Sequence, residues 1–228
     1  MTKVPDCERR LDLAAWNDEM YRRHPTPYHG LAGWVERSRV NAVLELAELT
    51  PEDRVLEIGC EGGNLLIQVP PVRRLVGGDI SPQALADAAA SFGRRQQTAE
   101  FVQFDAQQPL PFEPGEFSVI LCSEMLEHVD QPRRVLENIA AVCTPQTRIV
   151  ISIPLEELKL WLKKVLTFTR VFNLLLPGIE QGQSEWHLQV FSRQRLLDLS
   201  RDLFRPERER TVWATHYVAR FRKSAGRG

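Results

Sequence analysis

The sequence predicts an α/β fold built on a doubly wound, mostly parallel seven-stranded sheet. Short apolar runs alternate with helical patterns from Arg54 onward, the order that lays parallel strands beneath covering helices. Successive runs end in acids or small polar residues: Glu57 after Val55-Leu56, Asp79 after Leu75-Val76, Asp105 after Phe101 to Phe104, and Ser123-Glu124 after Phe117 to Cys122. A glycine cluster, Gly59-Cys60-Glu61-Gly62-Gly63, follows the first of them, and glycine there lets the backbone turn sharply and approach a ligand.

Taken in order, Leu11, Ala14, Ala15 and Trp16 fall at helical spacing, as do Trp34, Val35, Val43, Leu46 and Leu49. The prolines between His24 and Gly30 make that stretch a loop. Strands are predicted over Arg54 to Ile58, Arg74 to Asp79, Glu100 to Phe104, Phe117 to Cys122 and Arg148 to Ile153, with helices over Pro82 to Phe92 and Gln131 to Val142. Leu155 to Leu176 is a long helical pattern and Ser192 to Leu203 a shorter one, while Thr211 to Ala214 and Tyr217 to Phe221 form a terminal antiparallel pair. These bounds give an N-terminal helical cap at 1–50, a main domain at 51–222 with an insertion at 155–185, and a disordered tail at 223–228.

A chain of 228 residues suits one domain with a modest addition. Its 43% hydrophobic and 26% charged content is that of a globular protein, and a net charge of -1 offers no field for a nucleic-acid partner. The four cysteines, Cys7, Cys60, Cys122 and Cys143, lack a CxxC spacing and read as reduced, mostly buried thiols of a cytoplasmic protein. No secretory signal and no uncharged stretch able to span a bilayer is read.

Acids and small polar residues thus gather at one edge of the sheet, where open α/β sheets bind ligands. Asp79, at the tip of the second strand, is placed to accept hydrogen bonds from ribose hydroxyls. Four stations in this order resemble the class I S-adenosylmethionine-dependent methyltransferases, whose fold is Rossmann-like. Glu57 to Gly63 is similar to the first motif, Asp79 to the ribose-binding acid, Phe104-Asp105-Ala106 to the adenine-side pair, and Ser123 to Val129 to the ubiquinone-pathway O-methyltransferases in particular. His187 with Phe191-Ser192 resembles the segment after strand five in those enzymes.

The resemblance implies S-adenosyl-L-methionine as cofactor, held by Glu57, Gly59, Cys60, Glu61, Gly63, Asp79, Ile80, Asp105, Ala106 and Ser123. The family's first motif usually carries glycine where this chain has Glu61. A side chain there must turn outward or accept from the cofactor's ammonium group.

A phenol or catechol acceptor benefits from a base or a metal that stabilises its anion. Glu124, Glu127 and His128 stand at i, i+3 and i+4 and share one face if that segment is helical. With His187 they make a mixed oxygen and nitrogen set for Mg or another divalent cation. The competing arrangement is a lone base, His187 or His29. His187, Glu127 and His128 are the catalytic candidates.

In the segment 155–176, Leu158, Trp161, Leu162, Val165, Phe168, Phe172 and Leu175 recur at helical spacing, interrupted by Lys159, Lys163, Lys164 and Arg170. Such a basic amphipathic helix suits peripheral membrane contact, a lid over the core or a dimer contact. Each favours a small apolar or aromatic acceptor, quinol-like or natural-product-like. Family architecture makes Tyr28, His29 and Trp34 candidates for the opposite wall. Other readings are a metal-dependent RNA 2'-O-methyltransferase, a non-catalytic protein of the same fold, and a nicotinamide-dependent oxidoreductase, for which the glycines lack the G-x-G-x-x-G pattern.

Overall fold

The computed structural model describes residue 15, residues 18–19, residues 30–155 and residues 188–224. Its helices are α1 (Gly30–Ala47), α2 (Pro82–Arg94), α3 (Pro132–Val142) and α4 (Arg193–Ser200). Its strands are β1 (Arg54–Ile58), β2 (Arg74–Asp79), β3 (Glu100–Gln103), β4 (Val119–Ser123), β5 (Arg148–Pro154), β6 (Phe204–Val212) and β7 (His216–Lys223). They form one sheet in the order β3-β2-β1-β4-β5-β7-β6. The first five strands pair in parallel, and β7 runs antiparallel to both β5 and β6. The order of connection reverses between β1 and β4, which opens a crevice beyond their carboxyl ends.

The central strands are apolar throughout because both faces are covered. Val55, Val119, Leu121 and Val150 pack on one side against Val40, Val43, Leu46 and Ala47 of α1. Their alternates Leu56, Ile58, Ile120, Ile149 and Ile151 face Val135, Leu136 and Ile139 of α3 and Leu196 of α4. The spacing of the α1 residues puts them on one helical stripe. The amino ends of the strands are clasped by Asp53, which accepts from Thr50 N at 2.7 Å and Ser118 Oγ at 2.7 Å and pairs with Arg148.

Three sequence expectations change. The terminal pair is much longer on its first strand, since β6 begins at Phe204 rather than near Thr211. Only the two ends of β6 are buried, so Arg205 to Thr211 carries charge in place of the apolar alternation by which strands are recognised. The segment around Glu127 is a 3-10 turn over Leu126–His128 and not a helical face. The last strand reaches Lys223, whose Nζ donates to Cys143 O at 3.0 Å, so order continues past residue 222.

Cys60, Cys122 and Cys143 are buried free thiols, as their apolar settings lead one to expect. Cys7, Tyr28, His29, His187 and nearly all of the 155–176 pattern lie outside the described residues. Among the described residues, no helix is long and apolar enough to cross a membrane.

Candidate active site

The pocket at the switch point is lined by Gly59, Glu61, Asp79, Ile80, Asp105 and Ala106 of the sequence-derived set. Glu57, Cys60, Gly63 and Ser123 are not among its lining residues. The turn leaving β1 is made by residues in the left-handed region: Gly59 at φ 74°, Glu61 at φ 44° and Gly63 at φ 77°. The N–H groups of Gly59 and Cys60 both donate to Gly78 O, at 2.8 and 3.1 Å, tying the turn to β2. A Cβ on Gly59 would stand 2.5 Å from Met125 Cγ, so this position admits no side chain.

Asp79 ends β2 with both carboxylate oxygens engaged. Oδ1 accepts from Ser81 N and Oδ2 from Glu61 N, each at 2.9 Å. The helix-capping role belongs to Ser81, whose Oγ accepts from Ala84 N at 3.0 Å ahead of Pro82. The Ser81 hydroxyl also meets Asp18 of the N-terminal segment. Burial pushes the Asp79 carboxyl above its ordinary value despite those amides, and Asp18 adds to the shift.

At the tip of β3, Asp105 serves two purposes. Its Oδ1 caps the following turn by accepting from Gln107 N at 2.8 Å, and the residue lines the pocket beside Phe104 and Ala106. Ile80, Ala84, Met125 and Val129 complete the apolar wall. A slot of this make, apolar along its length with an acid at the β2 tip and an open-backbone turn beside it, fits a nucleoside.

Acids dominate the remaining charge. Glu61 is pushed up to about 7, first by burial, then by Asp79, with Glu36 and Glu124 adding to the shift and Arg39 opposing it. Glu57 is buried, is held well above the usual carboxylate range by desolvation, and accepts from the Leu66 amide. Its Oε2 has no hydrogen-bond partner among the described residues. Glu57 thus ties the end of β1 to Leu66 and is not among the residues that line the pocket. Among the described residues, the cation that acts on Glu61 and Glu57 is Arg39, buried on α1, whose guanidinium meets Glu36 and Ser123 and lies 3.3 Å from Ser152 Oγ. Sequence reading passed over Arg39 because an arginine on a helix ordinarily marks the solvated face.

Beyond the turn, at the end of β4, Glu124 also adopts the left-handed region, at φ 52°. Ser152 secures it twice, accepting Glu124 N at 3.1 Å and donating Oγ to Oε1 at 2.9 Å. Oε2 lies 3.4 Å from His216 Nε2, and His216 Nδ1 lies 3.0 Å from Thr215 Oγ1. His216 went unnoticed in the sequence because only the β5 and β7 pairing of Pro154 with His216 brings it to Glu124.

The expected metal trio is not assembled among the described residues. Glu124 and His128 line the pocket, but Glu127 is 1% exposed and sits in the protein interior. Glu124 stands outside the 3-10 turn, in the left-handed region, so helical spacing does not carry from it to Glu127 and His128. Among the described residues no three His, Cys, Asp or Glu side chains come close enough to hold an ion. The Glu127 carbonyl accepts from Leu188 N at 2.9 Å and Gln189 N at 3.2 Å, which brings Leu188 and Gln189 against the Leu126–His128 turn.

Trp34, named as a wall residue, is exposed and stacks on Trp213 with ring centroids 4.1 Å apart.

A methyltransferase domain family matches residues 31–202. A ubiquinone biosynthesis O-methyltransferase of Coxiella burnetii is 32% identical over 124 residues, 54% of this chain and 53% of that protein. The chain thus spans about half the length of the curated relatives it matches. A Pyrococcus horikoshii protein superposes with TM-score 0.69 at 17% identity, covering 90% of this chain and 99% of that one. Magnesium protoporphyrin IX methyltransferase from Synechocystis, solved with bound S-adenosylhomocysteine, superposes with TM-score 0.65 at 16% identity, covering 96% and 100%. The nicotinamide reading is set aside by the extent of the family match, and the chain belongs to the methyltransferase domain family, as a class I S-adenosylmethionine-dependent member related to the ubiquinone-pathway O-methyltransferases.

Proposed function

We propose that this protein transfers a methyl group from S-adenosylmethionine to a hydroxyl oxygen of a small apolar or aromatic acceptor. The observation that carries the reading is the Asp79 carboxylate, held by two backbone amides on the wall of an apolar slot beside the Gly59 turn. Asp79 takes the ribose hydroxyls, the slot between Ile80 and Phe104-Asp105-Ala106 takes the base, and Arg39 neutralises the carboxylate of the methionine end. Bound there, the cofactor supplies a methyl already activated on sulfur, and the S–C bonding pair stays with sulfur as the new O–C bond forms. The protein's share is alignment and exclusion of water, which Met125 and Val129 provide on the apolar side.

The acceptor's proton needs a destination on the acceptor side of the turn. Glu124, fixed by Ser152 and His216, and His128 are the described groups on that wall, and His187, outside the described residues, remains a candidate. Mg or another divalent cation enters the reading only through Glu124, His128 and His187. The basic amphipathic pattern of 155–176 supports an apolar acceptor, delivered from a lipid surface or through a lid. Similarity to enzymes named for ubiquinone biosynthesis supports oxygen as the methylated atom.

Calorimetric titration with S-adenosylhomocysteine, then transfer of labelled methyl to a panel of catechols and quinols, tests the reading. Binding with transfer to at least one phenolic oxygen is expected. Repeating the transfer after chelation separates a metal-free site from a metal site. Binding without transfer to any acceptor favours a non-catalytic protein of this fold, and failure to bind overturns the proposal.

A further inference from the structure

We infer that Glu61 makes the cofactor pocket selective for the cationic, methyl-bearing form of the cofactor over its neutral thioether product, an inference that rests on the proposed methyl transfer. Glu61 stands in a turn whose other left-handed members are glycines, at φ 44°. Glycine adopts that conformation freely and an L residue does not, so the backbone gains nothing from a side chain here. The strained position is also locked, because Glu61 N donates to Asp79 Oδ2 at 2.9 Å. A rigid main chain therefore presents a carboxyl group on the pocket wall.

The groups facing Glu61 come from several elements. Asp79 at the end of β2, Glu57 at the end of β1, Glu36 on α1 and Glu124 after β4 are acids, and Asp18 of the N-terminal segment adds its charge against Asp79. Arg39 is the opposing cation, and it is already engaged by Glu36, Ser123 and Ser152. His128 lines the same pocket. Ionising Glu61 thus adds negative charge to a negative site, and burial with Asp79 pushes its carboxyl up to about 7.

S-adenosylmethionine carries a sulfonium, an ammonium and a carboxylate, and a net positive charge. S-adenosylhomocysteine lacks the sulfonium charge and is neutral overall. A cation relieves the repulsion that keeps Glu61 protonated, so its binding should expel the proton and strengthen as pH rises through neutrality. The product offers less relief and should show a weaker dependence. Product release would be favoured by the same charge difference.

The test is calorimetry of S-adenosylmethionine and S-adenosylhomocysteine, without acceptor, to the wild type, Glu61→Gln and Glu61→Gly. Buffers of different ionisation enthalpy count the protons released. With Glu61 able to ionise, the cationic ligand should gain about tenfold in affinity between about pH 6 and about pH 8, the equivalent of one pKa unit. It should bind roughly tenfold more tightly than the product at the upper pH, on the same equivalence. Both the preference and the proton release should collapse in Glu61→Gln and Glu61→Gly. The glycine variant restores an unstrained turn, and a thermal melt confirms that each variant is folded. Preference and pH dependence retained in both variants would overturn the inference. Failure of either ligand to bind the wild type would overturn the methyltransferase reading itself, and this inference with it.

Discussion

The backbone amide of Glu61 donates to Asp79 Oδ2 at 2.9 Å, so the acid that ends β2 also holds the turn that ends β1. The residue proposed to grip ribose and the residue that departs from the glycine motif are mechanically joined.

Replacing Asp79 with alanine should therefore do two things. It removes the proposed ribose acceptor, and it frees the Glu61 turn. The loss of charge-assisted hydrogen bonds predicts about 2–4 kcal/mol weaker S-adenosylhomocysteine binding, measured by calorimetry. Asp79→Asn should weaken binding and also lower thermal stability, because its amide nitrogen cannot accept from one of the two backbone N–H groups that Asp79 holds.

The ligand-free protein should lose stability as pH rises from about 4.5 to about 7. Glu61 is raised from 4.5 to about 7 in the fold by burial and by Asp79, so the folded state holds a proton that the unfolded chain releases in this window. The contribution is complete below the unfolded value and lost above the folded one, an effect of about 2–3 kcal/mol. Melting curves across this range should show it, and Glu61→Gln should flatten them and exceed the wild type at alkaline pH.

Ala214→Gly should stabilise the fold by about 1 kcal/mol. Trp213 and Ala214 sit at φ 51° and 52° in a turn closed by Thr215 N to Val212 O at 3.0 Å. Both central residues being left-handed makes it a type I′ turn, which glycine and asparagine favour. A rise of a few degrees in melting temperature is expected, with cofactor affinity unchanged.

Asp53→Ala should destabilise by about 3 kcal/mol, because it leaves the partly buried Arg148 without its carboxylate counter-charge, with the Ala47 and Glu48 carbonyls as its remaining acceptors. Burial opposes ionisation of Asp53, but Arg148, Ser118 and the Thr50 amide together hold its carboxyl below the ordinary value. That part of the stability is present above the unfolded value and lost as acid protonates Asp53. Urea titration at neutral and acidic pH would measure both effects, and nucleoside binding should survive at neutral pH.

The central sheet was legible because buried parallel strands announce themselves. Arg54–Ile58 and Arg74–Asp79 occur at the bounds that their apolar runs predict, and Asp79 at the tip of the second lines the pocket. What could not be read depends on distant pairings or on exposure. Arg39 reaches Ser123 and Ser152 only because α1 lies across β4 and β5. His216 meets Glu124 only through the β5 and β7 register. Spacing alone placed Glu127 beside Glu124 and His128, but the left-handed residue at 124 ends helical periodicity there, and Glu127 turns inward.

The charge of β6 has a consequence for self-association. An open sheet edge is a template on which another chain can add a strand. Here that edge carries Arg205, Glu207, Arg208, Glu209 and Arg210, with Pro206 lacking a donor and a register shift between Pro206 and Arg208. A second molecule approaching this strand meets a dense row of solvated charges, a missing amide and a broken ladder. The feature that hid β6 from pattern recognition thus protects the protein from growing edge to edge into aggregates.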